Sequence, residues 1–267
     1  MGREGAGPAK LSRVPRHLRS VTATRYVSAL REGGSLPGLV EADDDGLYVT
    51  KFTGAGQGPG ALVAEVLAGE LGRAIGLPIP ELAVVELPPE LGRAEPDPEI
   101  QELLAGSPGP NLGMDFLPGS LGFTLPADPP IEADFAADVV WFDALVTNVD
   151  RTPRNPNLLV WHRRTWLIDH GAAFFRMHGG RPLAETARSA VPMLAEHVLL
   201  PLAGPLADAD ARLAGRAAGA IDEVVELVPE CWLGGDPAGR RADLGGFLRE
   251  RLTEPRDFVE ELERARG

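Results

Sequence analysis

Apolar and polar positions alternate with a short period over residues 23–52, where ATRYVSALREGGSLPGLVEADDDGLYVTKF is interrupted by GGS and by DDDG. Runs of β-branched and aromatic residues between Gly- and Asp-rich breaks predict three short antiparallel strands. A Gly-rich stretch, GAGQGPG, leads into ALVAEVLAGELGRAIG, whose apolar residues recur at helical spacing up to the LPIP breaker and predict one helix. ELAVVEL reads as a further strand, and PPELGRAEPDPEIQELLAGSPGPN as a proline-rich surface excursion before the apolar segment LGMDFL. After a second proline-rich loop, DFAADVVWFDALVTN predicts a buried helix, VDRTPRNP a loop, and NLLVW and TWLID two strands joined by the turn HRR. From about Leu183 the pattern is helical through LAETARSAVPMLAEHVL, ADADARLAGRAAGAIDEVVELV, LGGFLRERL and DFVEELERAR, with Asp208 or Asp210 as candidate N-cap.

Strands first and helices later predict an α+β protein without internal repeats. Residues 1–20, rich in Gly, Pro and Arg, read as a flexible basic arm; residues 21–113 as a small, antiparallel β-rich N-lobe with one helix; and residues 114–267 as a larger helical C-lobe.

The formal net charge of −13 is unevenly spread: residues 1–40 carry +5, residues 41–150 carry −17 and the remainder −1. An acidic middle argues against a broad nucleic-acid surface, which needs clustered Lys and Arg. No run approaches a membrane span and MGREGAGPAK has no signal-peptide core, so integral membrane association is not expected and the expected location is cytoplasmic. The lone Cys231 cannot form an internal disulfide. The chain has twenty-four arginines but only two lysines, Lys10 in the arm and Lys51 at the end of a predicted strand. A composition this averse to lysine marks position 51 as one where a compact ammonium is needed.

The strongest chemical constellation lies between Asn148 and Gly171. Asp150 and Asn155 stand five apart on a predicted loop, and Asp169 closes the following hairpin just before His170 and Gly171. Phosphoryl transfer needs an acceptor for the nucleophile's proton and hard oxygen ligands for Mg²⁺ against the phosphates, and these residue types supply both in order. Lys51 ends LYVTKF, where a strand lysine reaches α- and β-phosphates. Gly33, Gly34 and Ser35 occupy the first strand turn, whose backbone N–H groups can cradle phosphate oxygens. The histidines lack the short paired spacing of a zinc site, GAGQGPG does not continue into a P-loop, and no GxSxG elbow occurs.

DRTPRNPNLL together with LIDHGAAF resembles the HipA-like kinase family, atypical kinases whose catalytic loop is also similar to that of phosphatidylinositol kinases. The resemblance covers about residues 23–200 and implies a two-lobed protein-kinase-like fold. It further implies that Asp150 is the catalytic base, that Asn155 and Asp169 bind Mg²⁺, that Lys51 binds ATP, and that Glu65 partners Lys51. The helical wheel leaves a second choice open, because Glu70 lies amid the stripe of Leu62, Val63, Val66 and Leu67 whereas Glu65 lies opposite. Asn157 reads either as a loop brace or as a strand-entry turn residue. Met114 to Leu117, near the lobe junction, can meet adenine through backbone groups or simply pack in the core. Ser35 is a candidate autophosphorylation site on the family resemblance and an ordinary hairpin serine otherwise.

The expected function is thus an ATP- and Mg²⁺-dependent kinase acting on a hydroxyl acceptor, with protein Ser/Thr implied by the family alone. A lipid or small-molecule kinase and a nucleotide-binding pseudokinase acting as a regulatory partner are the alternatives. The loop begins NVD rather than His-Arg-Asp, so control by an activation-loop phosphosite does not carry over. The N-terminal region of the family's longer toxin members has no counterpart here, which speaks against a toxin–antitoxin role.

Overall fold

The computed structural model describes residues 17–30, 36–55, 58–178, 182–192 and 194–267. Five strands close a barrel in the order β1-β2-β3-β5-β4: β1 (Arg19–Ala29), β2 (Gly38–Ala42), β3 (Leu47–Lys51), β4 (Leu82–Leu87) and β5 (Gly109–Asp115). Only the β1–β4 seam is parallel. The three strands read from the first alternating stretch are β1 to β3. LGMDFL, read only as an apolar segment, supplies much of β5. β1 begins at Arg19, and Leu18 is already buried, so both lie within the segment 1–20 assigned to the arm.

The barrel interior is filled by alternate side chains, among them Val21, Val40, Tyr48 and Val85, the period-two consequence of pleating. Ile100 and Leu104 close this core from α2 (Pro98–Ala105), a helix inside the stretch expected to be only a surface excursion. Its signals were local. Asp97 caps it by accepting from Glu99 N at 3.0 Å, Pro98 takes the first turn, and Ile100 and Leu104 are one helical turn apart.

α1 (Gly58–Ile75) is buried on every face from Ala61 to Gly72, wedged between the barrel and the helical half of the chain. Gly72 makes the fit possible, since a Cβ there would lie 2.4 Å from Ile79 Cδ1 and 3.1 Å from Phe142 Cζ. Phe142 belongs to α3 (Ala133–Leu145), the buried helix expected from the sequence. α4 (Leu206–Glu226), α5 (Pro237–Leu252) and α6 (Asp257–Arg266) complete the helical part, and α1 and α3 both pack on α4. A three-stranded sheet, β6 (Leu121–Gly122), β7 (Leu158–Trp161) and β8 (Arg164–Leu167), carries the expected hairpin.

Two helical expectations need correction. Among its described residues the stretch LAETARSAVPMLAEHVL forms 3₁₀ turns at Leu183–Thr186 and Leu194–Glu196 rather than an α-helix, and Pro192, which has no N–H to donate, stands between them. Neither Asp208 nor Asp210 caps α4. The helix starts after Pro205, and Asp210 instead accepts from Trp141 Nε1 at 2.8 Å and from Arg256. No helix among the described residues is long and apolar enough to cross a membrane.

Candidate active site

Alternation along β3 decides where Lys51 points. Tyr48 and Thr50 face into the barrel, so Lys51, next in register, faces outward toward α1. There its Nζ bonds Glu65 Oε1 and, at 2.7 Å, Asp169 Oδ1. Glu65 is held at both oxygens, because His170 N donates to Oε2 at 2.9 Å. Burial opposes the Lys51 ammonium, but the carboxylates of Glu65 and Asp169 outweigh it and hold its pKa above the ordinary lysine range. Asp169 is pulled the other way: burial would favour its neutral form, yet Lys51 keeps it below the usual carboxylate range.

Glu70, the other candidate, has a different partner. It lies 3.5 Å from Arg73 Nε on its own helix, and burial raises its pKa. The helical wheel, which set Glu70 amid the apolar stripe and Glu65 opposite, misleads here because α1 is buried all round and lacks the polar face that the wheel assumes.

Asp169 adopts left-handed backbone, φ 54°, a conformation that Asp tolerates better than most residues. Gly171 follows, and a Cβ there would stand 3.4 Å from Glu65 Oε1, 3.5 Å from Lys51 Nζ and 3.6 Å from Asp169 Oδ1. Glycine therefore leaves one side of the ion triad clear of side-chain atoms.

The loop residues form a second group. Asp150 Oδ2 accepts from Asn155 Nδ2 at 2.7 Å and from Asn157 Nδ2 at 3.4 Å. Thr152 and Asn155 exchange backbone hydrogen bonds, each 3.1 Å, which folds the intervening Pro153 and Arg154 into a tight turn and brings Asn155 back toward Asp150. Asn157, φ 49°, serves both as a brace on Asp150 and as the strand-entry turn.

Arg151 joins the two groups. Its side chain is fully buried: Nε donates to Asp143 Oδ2 at 2.5 Å, and Nη1 reaches Asn157 O and, at 3.4 Å, Ile168 O. One guanidinium thus ties the loop after Asp150 to the strand end before Asp169. Asp143, on α3, also accepts from Asn148 Nδ2 at 2.9 Å and from His197 Nε2 at 3.0 Å. Leu199 N donates to His197 Nδ1 at 3.1 Å, which places the ring proton on Nε2, toward Asp143. Although burial alone would raise the Asp143 pKa, Arg151 and His197 bring it well below the usual carboxylate range. The His170 ring, buried and near Arg151, has its pKa pushed down to about 3, so it is neutral at physiological pH and lies edge-on to Phe142.

Asp143, Arg151 and His197 were not picked out from the sequence. An Asp inside the apolar run DVVWFDAL was the available signal, since a carboxylate there demands a buried partner. Nothing local distinguishes Arg151 from an exposed arginine. Gly33, Gly34 and Ser35 lie outside the described residues. In the segment Met114 to Leu117, Met114 is within β5, and the amides of Asp115 and Phe116 donate to Glu81 O and Leu47 O, so those two N–H groups are committed to the fold.

The oxygens on offer are hard donors. Asn155 has given its Nδ2 to Asp150, which leaves its Oδ1 without a donor among the described residues, and the Asp169 side chain is 39% exposed despite its bond to Lys51. An amide oxygen and a carboxylate suit Mg²⁺, a cation that retains waters and phosphate oxygens in its shell. By chemistry alone, an ammonium such as Lys51 attracts an anion, amide and carboxylate oxygens such as those of Asn155 and Asp169 attract a divalent cation, and a carboxylate such as Asp150 accepts a proton.

The family model described as HipA-like kinase matches residues 24–244. Among solved structures, the Helicobacter pylori proinflammatory kinase CtkA is similar in fold, with a TM-score of 0.56 at 13% sequence identity, covering 91% of this chain and 98% of that one. No curated protein matches the chain.

Proposed function

The chain belongs to the HipA-like kinase family, and from that premise we propose that it transfers the γ-phosphoryl group of ATP, with Mg²⁺, to the hydroxyl of a protein Ser or Thr. The observation that carries this reading is the convergence of a barrel lysine, a helix glutamate and the Asp169 carboxylate in one ion triad, beside a loop aspartate braced by Asn155. Both charge types that phosphoryl transfer requires are present in ordered positions.

In this reading Lys51, kept protonated by its two carboxylates, binds nucleotide phosphate oxygens, and Glu65 fixes its position. Asn155 and Asp169 would hold Mg²⁺, which would supply neutralisation of the phosphate charge. Asp150 orients the acceptor hydroxyl and takes its proton as the new O–P bond forms and the bond to the ADP leaving group breaks. Oδ2 of Asp150 is occupied by Asn155 and Asn157, which leaves Oδ1 for the acceptor. Arg151 holds Asp150 and Asp169 in a common frame without touching substrate. The protein acceptor rests on the family.

The test is to incubate the purified chain with γ-labelled ATP, Mg²⁺ and cell extract, then separate protein, lipid and small molecules. Label on Ser or Thr of a protein, absent with Asp150→Asn, is the expected result. Label confined to lipid or small molecules would overturn the acceptor, and ATP binding without any transfer would favour a regulatory pseudokinase.

A further inference from the structure

A half-open cleft of about 570 Å³ lies apart from the ion triad, between the C-terminal end of α1, the start of α3, the tip of the β7–β8 hairpin and α4. Its floor is apolar, formed by Ile75, Leu77, Ile131, Phe135 and Leu213. Four arginines stand on its walls, Arg163 and Arg164 from the hairpin and Arg212 and Arg216 from α4, against two carboxylates, Glu132 and Asp138. Arg212 is bound to Asp138 at 2.7 Å, whereas Arg163, Arg164 and Arg216 form no ion pair among the described residues. Arg164 is nonetheless held in place, its guanidinium 5.4 Å from the Trp166 ring centroid. Other described arginines without an ion pair, Arg93, Arg154, Arg176, Arg251 and Arg264, stand outside this cleft, whereas here three such guanidinium groups gather around one apolar floor.

We infer that this cleft is a docking site for an acidic peptide segment of a partner protein, one that alternates carboxylates with large apolar side chains. Guanidinium forks match carboxylates in bidentate geometry, and none of these three forms a carboxylate ion pair among the described residues, although Arg216 is near enough to Asp138 to act on its carboxylate. The apolar floor gives an anchor side chain somewhere to bury, the usual source of affinity in such contacts. Neither feature suits a basic or purely polar partner. The inference uses no residue of the candidate active site and is independent of the proposed reaction.

The cleft walls also continue the elements that carry that site. α1 bears Glu65 and ends at Ile75 in the cleft floor, while the chain runs from Arg164 through β8 to Asp169, and Leu167 N donates to Pro78 O, just beyond α1, at 2.8 Å.

A random dodecapeptide library displayed on phage, selected against the immobilised full chain, tests the inference. The expected outcome is enrichment of sequences combining Asp or Glu with Leu, Ile or Phe. The best of them, labelled and measured by fluorescence anisotropy, should lose at least about tenfold in affinity on R163E/R164E/R216E and weaken with added NaCl. The control Arg264→Glu, on α6, should bind as the parent does, and all variants should keep the parent's thermal unfolding. Enriched peptides without acidic residues, no enrichment, affinity unchanged in the triple variant, or saturable binding of decanoate with no peptide bound would each overturn the inference.

Discussion

Removing the Arg151 guanidinium by Arg151→Met should destabilise the protein by about 3–5 kcal/mol, the cost of leaving a buried charge without its partner. The Arg151 side chain is 0% exposed and that of Asp143 1%, so no solvent replaces the lost bonds. Asp143 would retain Asn148 and His197, while Asn157 O would lose the Arg151 donor that stitches the loop together. Against an ordinary folding stability of about 5–15 kcal/mol this is a large fraction. Equilibrium urea unfolding followed by circular dichroism and tryptophan fluorescence measures it directly. The double variant Arg151→Met, Asp143→Leu removes both charges, and its loss should fall short of the sum of the single losses by about 2 kcal/mol. pH provides a second check. The folded-state pKa of Asp143 is depressed, so its contribution is present above the ordinary aspartate range and is lost as pH falls through and below that range. The stability gap between the parent and Arg151→Met should therefore narrow on acidification below about pH 4. A single-variant loss under about 1 kcal/mol, or strict additivity in the double variant, would refute the claim that this pair frames the site.

Asp150→Asn should lower phosphoryl transfer at least about a hundredfold while leaving ATP affinity nearly unchanged, as expected of a group acting on the acceptor in the transition state; full turnover with the true acceptor would end its assignment as base. Glu65→Gln should weaken the hold on Lys51 and raise the KM for ATP about tenfold or more without loss of helical signal, and unchanged kinetics would show the ion triad to be structural only. Calorimetry should find ATP bound more tightly with Mg²⁺ than with chelator, since Asp169 otherwise opposes phosphate charge; equal affinities would remove Asn155 and Asp169 as metal ligands.

Legibility in the sequence followed the range of the interactions. β1, β2 and β3, α1, α3 and the β7–β8 hairpin were predictable because alternation, helical spacing and turn residues act within a few positions. The spacing of Asp150, Asn155 and Asp169 along one loop and one hairpin was likewise local, whereas the meeting of Lys51 on β3 and Glu65 on α1 with Asp169 was suggested only by the family resemblance. Barrel closure was not, since the parallel β1–β4 pairing joins Arg19 to Ala83 and leaves no local trace. α2 hid inside a proline-rich stretch because proline was read as a breaker when Pro98 actually starts a helix. The Asp143–Arg151–His197 network joins residues up to 54 positions apart, and only the packed structure reveals that Arg151 is buried.

Because α1 is bedded against the barrel on one side and against α3 and α4 on the other, with Gly72 closed over by Ile79 and Phe142, it has no free side toward which to swing. Kinases that are switched by rocking the corresponding helix make and break their lysine–glutamate contact as the on–off step. Here Glu65 behaves as masonry rather than as a lever. Displacing α1 would mean opening the core that its residues Ala61 to Gly72 help to form. On this packing the Lys51–Glu65 contact and the hydrophobic core stand or fall together.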